Sequence, residues 1–154
     1  MSLRLRAATR ADSEPARELI SQVLAEYGLQ LSSDGSDSDL DDLVASYADA
    51  GGCFDLLVDD EDRLVGTVGL LPLSETQLEL RKMYLHPAAR GQGHGRRLLE
   101  HALNWARQHG YRELCLETAS ALTEAIALYR AYGFERYTPP HLARRCDQGY
   151  RLTL

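Results

Sequence analysis

The chain has 154 residues, of which 44% are hydrophobic and 26% charged. That is enough to bury one core without a disulfide or metal staple, and too apolar for a disordered segment. A net charge of −6 at neutral pH argues against a general nucleic-acid binder, which needs concentrated basic surface. No apolar run approaches the roughly 20 residues of a membrane span. The opening residues, Met1 to Arg6, carry no apolar core followed by a cleavage site and do not read as a signal peptide. We therefore expect one soluble, cytoplasmic domain over residues 1–154, with neither a nucleic-acid nor a membrane partner. Cys53, Cys115 and Cys146 are odd in number and widely spaced, which suits small core hydrophobes better than a disulfide framework or a zinc ribbon. The one lysine is Lys82; every other basic residue is arginine.

In chain order, Leu3 to Ala7 alternates apolar and polar, the period of a half-buried strand. Asp12-Ser13-Glu14-Pro15 then offers capping residues and a proline suited to a first helical turn. Leu19, Ile20, Val23, Leu24 and Tyr27 recur at helical spacing up to Gly28. A loop rich in Ser and Asp (residues 31–39) follows, then a short helix through Leu40, Leu43, Val44 and Tyr47. Cys53 to Val58, the acidic turn Asp59 to Asp62, and Leu64 to Leu71 read as an antiparallel hairpin. Leu78 to Leu85 reads as a third strand. Between Gly95 and His109, one apolar stripe (Leu98, Leu99, Ala102, Leu103, Ala106) marks a long helix, with Gly110 as its stop. A short strand at Leu114 to Leu116, a helix from Ala121 to Tyr132, a return strand from Phe134 and a last strand over residues 148–154 complete the order. The fold class is α/β (α+β), a mixed layered fold.

The segment richest in chemistry is Arg90-Gly91-Gln92-Gly93-His94-Gly95-Arg96-Arg97, between the third strand and the long helix. Its glycines let the backbone turn tightly and approach a ligand. The helix behind it presents unpaired N–H groups and a positive dipole end, and Arg90, Arg96 and Arg97 offer bidentate contacts to phosphate. The segment predicts a phosphate or pyrophosphate cradle. It is not a Walker loop, because Gly95 is followed by Arg96-Arg97 rather than Lys and a hydroxyl residue. The spacing Gly91-x-Gly93-x-Gly95 also departs from the dinucleotide fingerprint.

The same residues resemble the acetyl-CoA motif of the GNAT acetyltransferases: Gln or Arg, two residues, Gly, one residue, then Gly or Ala. Here it stands as Arg90-x-x-Gly93-x-Gly95 behind Met83-Tyr84-Leu85-His86-Pro87. A second signature, Leu-Tyr then Gly-Phe at a helix end, stands as Leu128-Tyr129 and Gly133-Phe134. The close resemblance runs from about Leu78 to Tyr137. It implies a mixed, mostly antiparallel central sheet flanked by helices on both faces, and acetyl-CoA as co-substrate. Met83, Tyr84 and Leu85 would pair with the pantetheine arm through their backbone. The amides from Gln92 to Arg96 (Gly93, His94 and Gly95 included) would hold the pyrophosphate, with Arg90 and Gly91 also among the cofactor-binding residues. Many members carry Asn seven residues before the tyrosine; that position here is Leu122, and Thr118, Ser120 or Thr123 is the expected polar replacement. The resemblance also implies a homodimer, for which we expect the final strand to pair across a two-fold axis.

Acetyl transfer to an amine needs a base for the ammonium, donors for the thioester oxyanion and an acid for the leaving thiolate. The resemblance places the base at Glu79, acting directly or through water, with a solvated sheet-face glutamate paired to Arg81 as the alternative. It places the acid at Tyr129, with simple core packing as the alternative. The resemblance gives the amide of Leu85 or a neighbour as the expected oxyanion donor, where the family's strand commonly bulges and splays. His86, His94, His101, His109 and His141 lack metal-ligand spacing, so no metal is expected. Five aspartates between Asp34 and Asp42 would draw a cationic acceptor or form a solvated loop, while Arg144 and Arg145 point toward an acidic acceptor. The leading reading is an N-acetyltransferase acting on a primary amine of a small molecule in a ternary complex. The alternatives are a protein or peptide N-acetyltransferase, which would need an open groove beside the third strand, and a non-catalytic acyl-CoA sensor.

Overall fold

The computed structural model describes residues 2–32, 34–142 and 145–154. Its elements are β1 (Arg4–Ala7), α1 (Ser13–Glu26), β2 (Cys53–Val58), β3 (Leu64–Pro72), β4 (Gln77–Leu85), α2 (His94–Gln108), β5 (Glu113–Thr118), α3 (Thr123–Ala131), β6 (Glu135–Tyr137) and β7 (Gln148–Thr153). They build one seven-stranded sheet in the order β1-β2-β3-β4-β5-β7-β6. Every neighbouring pair is antiparallel except β4 with β5, which run parallel. Among the described residues no helix is long and apolar enough to cross a membrane.

Strand alternation sends side chains to two cores. On one face Leu57, Val68, Leu70, Leu78, Leu80, Leu114, Leu116 and Tyr150 meet the apolar stripe of α2 (Leu98, Leu99, Ala102, Leu103, Ala106). On the other, Phe54, Leu56 and Val58 meet Ala16, Ile20 and Leu24 of α1 together with Leu40, Leu43 and Tyr47. Helices therefore cover both faces, as an apolar-on-both-sides central sheet requires.

Four local expectations change. Asp12 precedes α1 but makes no side-chain cap to it. Its carboxylate is taken by the Arg6 guanidinium at 2.8 and 2.9 Å and by the Thr9 amide and hydroxyl, a charge-assisted set stronger than a neutral cap. The short helix through Leu40 and Tyr47 is a 3₁₀ turn (Ser38–Asp41) and a π turn (Val44–Ala48). They are separated at Asp42, which is extended while its side chain accepts from the amides of Val44 and Ala45. The helix expected from Ala121 begins at Thr123. The final strand, β7, lies between β5 and β6. Its two edges are occupied, so it has none to offer across a two-fold axis; the free edges belong to β1 and β6.

Candidate active site

β4 and β5 pair only from Gln77–Glu113 to Glu79–Cys115 and then separate. Beyond Glu79 the edge of β4 that faces away from β3 has no strand partner, and a cleft of about 430 Å³ opens there. Glu79 to Leu85 form one wall, Leu116 to Ala119 the other, and the Gly91–Arg96 turn with α3 residues Ala125, Leu128 and Tyr129 close the end nearest α2.

The divergence begins at a bulge. Pairing with β3 slips between Thr67–Tyr84 and Gly69–Arg81, so Lys82 and Met83 together oppose Val68. Lys82 has φ +52, a left-handed conformation that costs a non-glycine residue about 1–3 kcal/mol. It is held there at both ends. Its carbonyl accepts from the Thr67 hydroxyl at 2.6 Å, and its ammonium sits 3.0 Å from Asp37 and 3.2 Å from Asp39 with a side chain only 3% exposed. Asp37, equally buried, also accepts from both terminal nitrogens of Arg145 (2.6 and 2.9 Å) and from the Ser32 amide (2.7 Å). Burial opposes ionisation of Asp37, but these donors hold it well below the ordinary carboxylate range.

The glycine turn has the form its composition predicts. Gly91 and Gly93 have φ +75 and +85, and Gly93 is the residue before α2, so the first N–H groups of that helix point out of the turn end. A side chain added at Gly93 would meet nothing within 4 Å; the backbone angle, not space, demands glycine. Of the residues expected to hold the cofactor, Met83, Tyr84, Leu85, Arg90, Gly91, Gly93, Gly95 and Arg96 line the cleft. The exposed Gln92, whose amide reaches the Ala88 carbonyl at 3.4 Å, and His94 do not. The arginines divide. Arg90 forks onto Glu26 at 2.8 and 2.9 Å and onto the Leu85 carbonyl, and Arg97 donates to the Leu3 carbonyl at 2.8 Å. Both are therefore spent inside the chain, and of the three only Arg96 presents its charge to the cleft without such a partner. The Leu85 carbonyl already accepts from Arg90.

Glu79 lies on the α1 face of β4 with a side chain 16% exposed, 3.4 Å from Arg81. Both readings of this residue thus meet at one position, in the cleft and beside Arg81. Burial raises its carboxyl above the ordinary range, Arg81 pulls it down, and Glu117 across the cleft pushes it up again. Tyr129 lines the cleft from α3 while its ring packs on Phe134 and Tyr150; burial holds its phenol above the usual value. At the family's Asn position, Leu122 lines the cleft. Of its three expected substitutes, Thr118 does so too, whereas Ser120 is bound through its amide and hydroxyl to Asp147.

Four of the five aspartates of the acidic stretch are paired within the chain, Asp37 buried and Asp41 exposed, while Asp34 is also exposed. Asp37 and Asp39 face Lys82, Asp41 pairs with Arg17, and Asp42 pairs with Arg10. Arg145 is consumed by Asp37, and Arg144 lies outside the described residues. Among the histidines, His86 accepts from the Ala88 amide and His101 contacts Asp55 at 2.6 Å. Among the described residues no three His, Cys, Asp or Glu side chains are grouped to hold a metal ion.

Sequence reasoning missed the Asp37–Lys82–Arg145 cluster, although a trace was present. In Leu78-x-Leu80-x-x-Met83-x-Leu85 the apolar alternation slips by one residue at Arg81-Lys82. Leu78, Leu80, Met83 and Leu85 all join the α2-side core, so that slip is the bulge written in the sequence.

A strand that bulges and leaves its parallel neighbour thus runs into a glycine turn at a helix N-terminus. The model of the Acetyltransferase (GNAT) family matches residues 7–134, and the chain belongs to that family of acetyl-CoA-dependent N-acetyltransferases. It is 40% identical over 136 residues to the uncharacterized N-acetyltransferase YjgM of Escherichia coli, covering 85% of this chain and 81% of that one. Some relatives are much longer: the chain spans 46% of human N-acetyltransferase 8B, at 35% identity over 64% of its own length. By shape it is similar to a GNAT acetyltransferase of Staphylococcus aureus (TM-score 0.92, 21% identity, 99% of both chains). It is also similar to yncA of Salmonella typhimurium, solved with its cofactor acetyl-CoA (TM-score 0.76, 19% identity, 99% of this chain and 94% of that one).

Proposed function

We propose that the chain transfers the acetyl group of acetyl-CoA to a primary amine carried by a small molecule, by direct attack in a ternary complex. The observation that carries the choice of acceptor is the buried ion cluster. A peptide acceptor calls for an open groove along β4. Here the segment bearing Asp37 and the segment bearing Arg145 join each other and Lys82 beside β4, and Asp37, Lys82 and Arg145 all line the cleft. In this reading that junction narrows the acceptor side of the cleft, which favours a compact amine over an extended chain.

In this reading Glu79 removes the proton from the acceptor ammonium, directly or through water. A primary amine with a pKa near 10 is otherwise almost wholly protonated at neutral pH. Main-chain N–H groups on the open edge of β4 receive the negative charge that grows on the thioester oxygen. As the intermediate collapses the nitrogen loses its second proton to solvent, while the Tyr129 hydroxyl gives its proton to the departing sulfur and recovers one from solvent. The N–H groups of the Gly91–Arg96 turn and the start of α2, with Arg96, take the pyrophosphate. The bound co-substrate supplies the activated acyl group, and the chain's residues supply position and protons. Three free cysteines suit a reducing cytoplasm.

The test is thiol release from acetyl-CoA in the presence of amino acids, polyamines, aminoglycosides and, separately, peptides with free N-termini or lysines. Small amines should drive release while peptides leave the background rate unchanged. A kcat/KM for any peptide above that of every small amine would replace this acceptor class with the protein one. Binding of acetyl-CoA with no release for any acceptor would favour the acyl-CoA sensor.

A further inference from the structure

The bulge in β4 inserts one residue, and so exchanges which N–H groups beyond it face β3 and which face the open edge. The chemistry proposed above depends on that exchange, because the donors for the thioester oxygen must come from the open edge. Yet the bulge is not held by glycine. It is held by a lysine in a left-handed conformation, pinned by Thr67 through its carbonyl and by Asp37 and Asp39 through its ammonium. Asp37 is in turn pinned by Arg145 and by the Ser32 amide.

We propose that Lys82 is a positioning residue for acetyl transfer. Its buried ammonium, locked between Asp37 and Asp39, holds the β4 backbone in the conformation that turns the following N–H groups toward the thioester oxygen. Asp37 couples that conformation to the two segments bordering the acceptor side of the cleft. The proposal rests on the acetyl-transfer reading. It differs from a direct role for Lys82, because both carboxylates lie within contact of the ammonium and only 3% of the side chain is exposed. Lysine suits the place better than the chain's usual arginine: a compact ammonium donates to two carboxylates from one atom, whereas a planar fork needs more room.

Two substitutions separate backbone positioning from charge. Lys82→Ala and Lys82→Gly remove the same ammonium, but glycine adopts φ +52 freely and alanine does not. Lys82→Ala should lower kcat on the order of tenfold to a hundredfold, a loss of the size expected when oxyanion donors are misdirected, while the dissociation constant for acetyl-CoA changes less than about threefold. Lys82→Gly should recover a large part of that loss. A second readout needs no turnover: the infrared stretch of carbonyl-labelled acetyl-CoA bound to the enzyme. It should lie below its free value in the unmodified protein, return toward that value in Lys82→Ala, and fall again in Lys82→Gly. Thr67→Val, which removes the carbonyl pin and leaves the ion cluster intact, should shift the stretch in the same direction as Lys82→Ala and serves where the latter fails to fold.

The proposal is overturned if Lys82→Ala keeps its kcat, if glycine does no better than alanine in both readouts, or if the loss lies wholly in acetyl-CoA affinity. A carbonyl at its free frequency in the unmodified protein overturns it as well. A lowered carbonyl frequency with no turnover on any amine would instead remove the amine-acceptor reading and leave the role of Lys82 standing on the spectra.

Discussion

In the proposed reaction, burial acts on both proton-transfer candidates, Glu79 and Tyr129. A glutamate in water is a weak base near neutral pH, and the raised carboxyl of Glu79 brings it closer to the proton it must accept. The base must be ionised, so activity is present above the raised pKa and is lost as pH falls through it. The acid limb of the kcat/KM profile should therefore lie above the roughly 4.3 of free glutamate. Glu79→Gln should lower kcat/KM by about a hundredfold or more and abolish that limb; a limb that survives the substitution would assign the base to another group. For Tyr129 the same physics runs the other way. An ordinary phenol already keeps its proton at neutral pH. Burial, by raising it, weakens it as an acid, so the proposed role rests on its place in the cleft. Tyr129→Phe preserves the ring that packs on Phe134 and Tyr150, so kcat should fall at least tenfold with little change in melting temperature. Equal kcat would leave the ring with packing alone.

Among the elements, the glycine turn and β4 carry the site, and they differed in legibility. The turn was readable because backbone conformation, a local property, demands glycine at Gly91 and Gly93. Gly93→Ala places a methyl group in open space but at φ +85, so it should cost about 1 kcal/mol of stability, read from urea unfolding. It should also weaken acetyl-CoA binding severalfold. Unchanged affinity would detach the cradle from the co-substrate. β4 was readable as a strand from its own residues, and as a bulged one only through the family resemblance. Its alternation slips at Arg81-Lys82, and a slip of one residue in a nine-residue strand is easily absorbed into a regular reading. The arginines flanking the turn show the limit of composition: Arg90 and Arg97 have the charge a phosphate needs, but Glu26 and the Leu3 carbonyl reach them first.

Across the whole molecule, ion pairs join segments far apart in sequence. Arg6 on β1 binds Asp12 before α1 and Asp62 in the β2–β3 turn, tying an edge of the sheet to its hairpin. The Arg6 guanidinium draws the Asp12 carboxyl down to about 2 against the opposing effect of burial. Its folded value thus lies below the unfolded one of about 3.9. The resulting stability is fully present above pH 4 and is lost as pH falls from about 4 to 2. Asp12→Asn should lower the melting temperature at pH 7, with the difference from the unmodified chain closing across that window. A difference that persists unchanged at pH 2 would show that the carboxylate charge is not its source.

The order of strands and helices, the amphipathic face of α2 and the left-handed glycines follow from periodicity and backbone sterics, which act between neighbours in the chain and are written there directly. The resemblance to a family then supplied Glu79 and Tyr129 as candidates. Tertiary structure alone decided that β7 is interior to the sheet and where β4 and β5 part, after Glu79. It also paired the aspartates of residues 37–42 with Lys82, Arg145, Arg17 and Arg10. The physical reason is that a charge has many candidate partners along a chain, and only the packed fold determines which of them lies within contact distance.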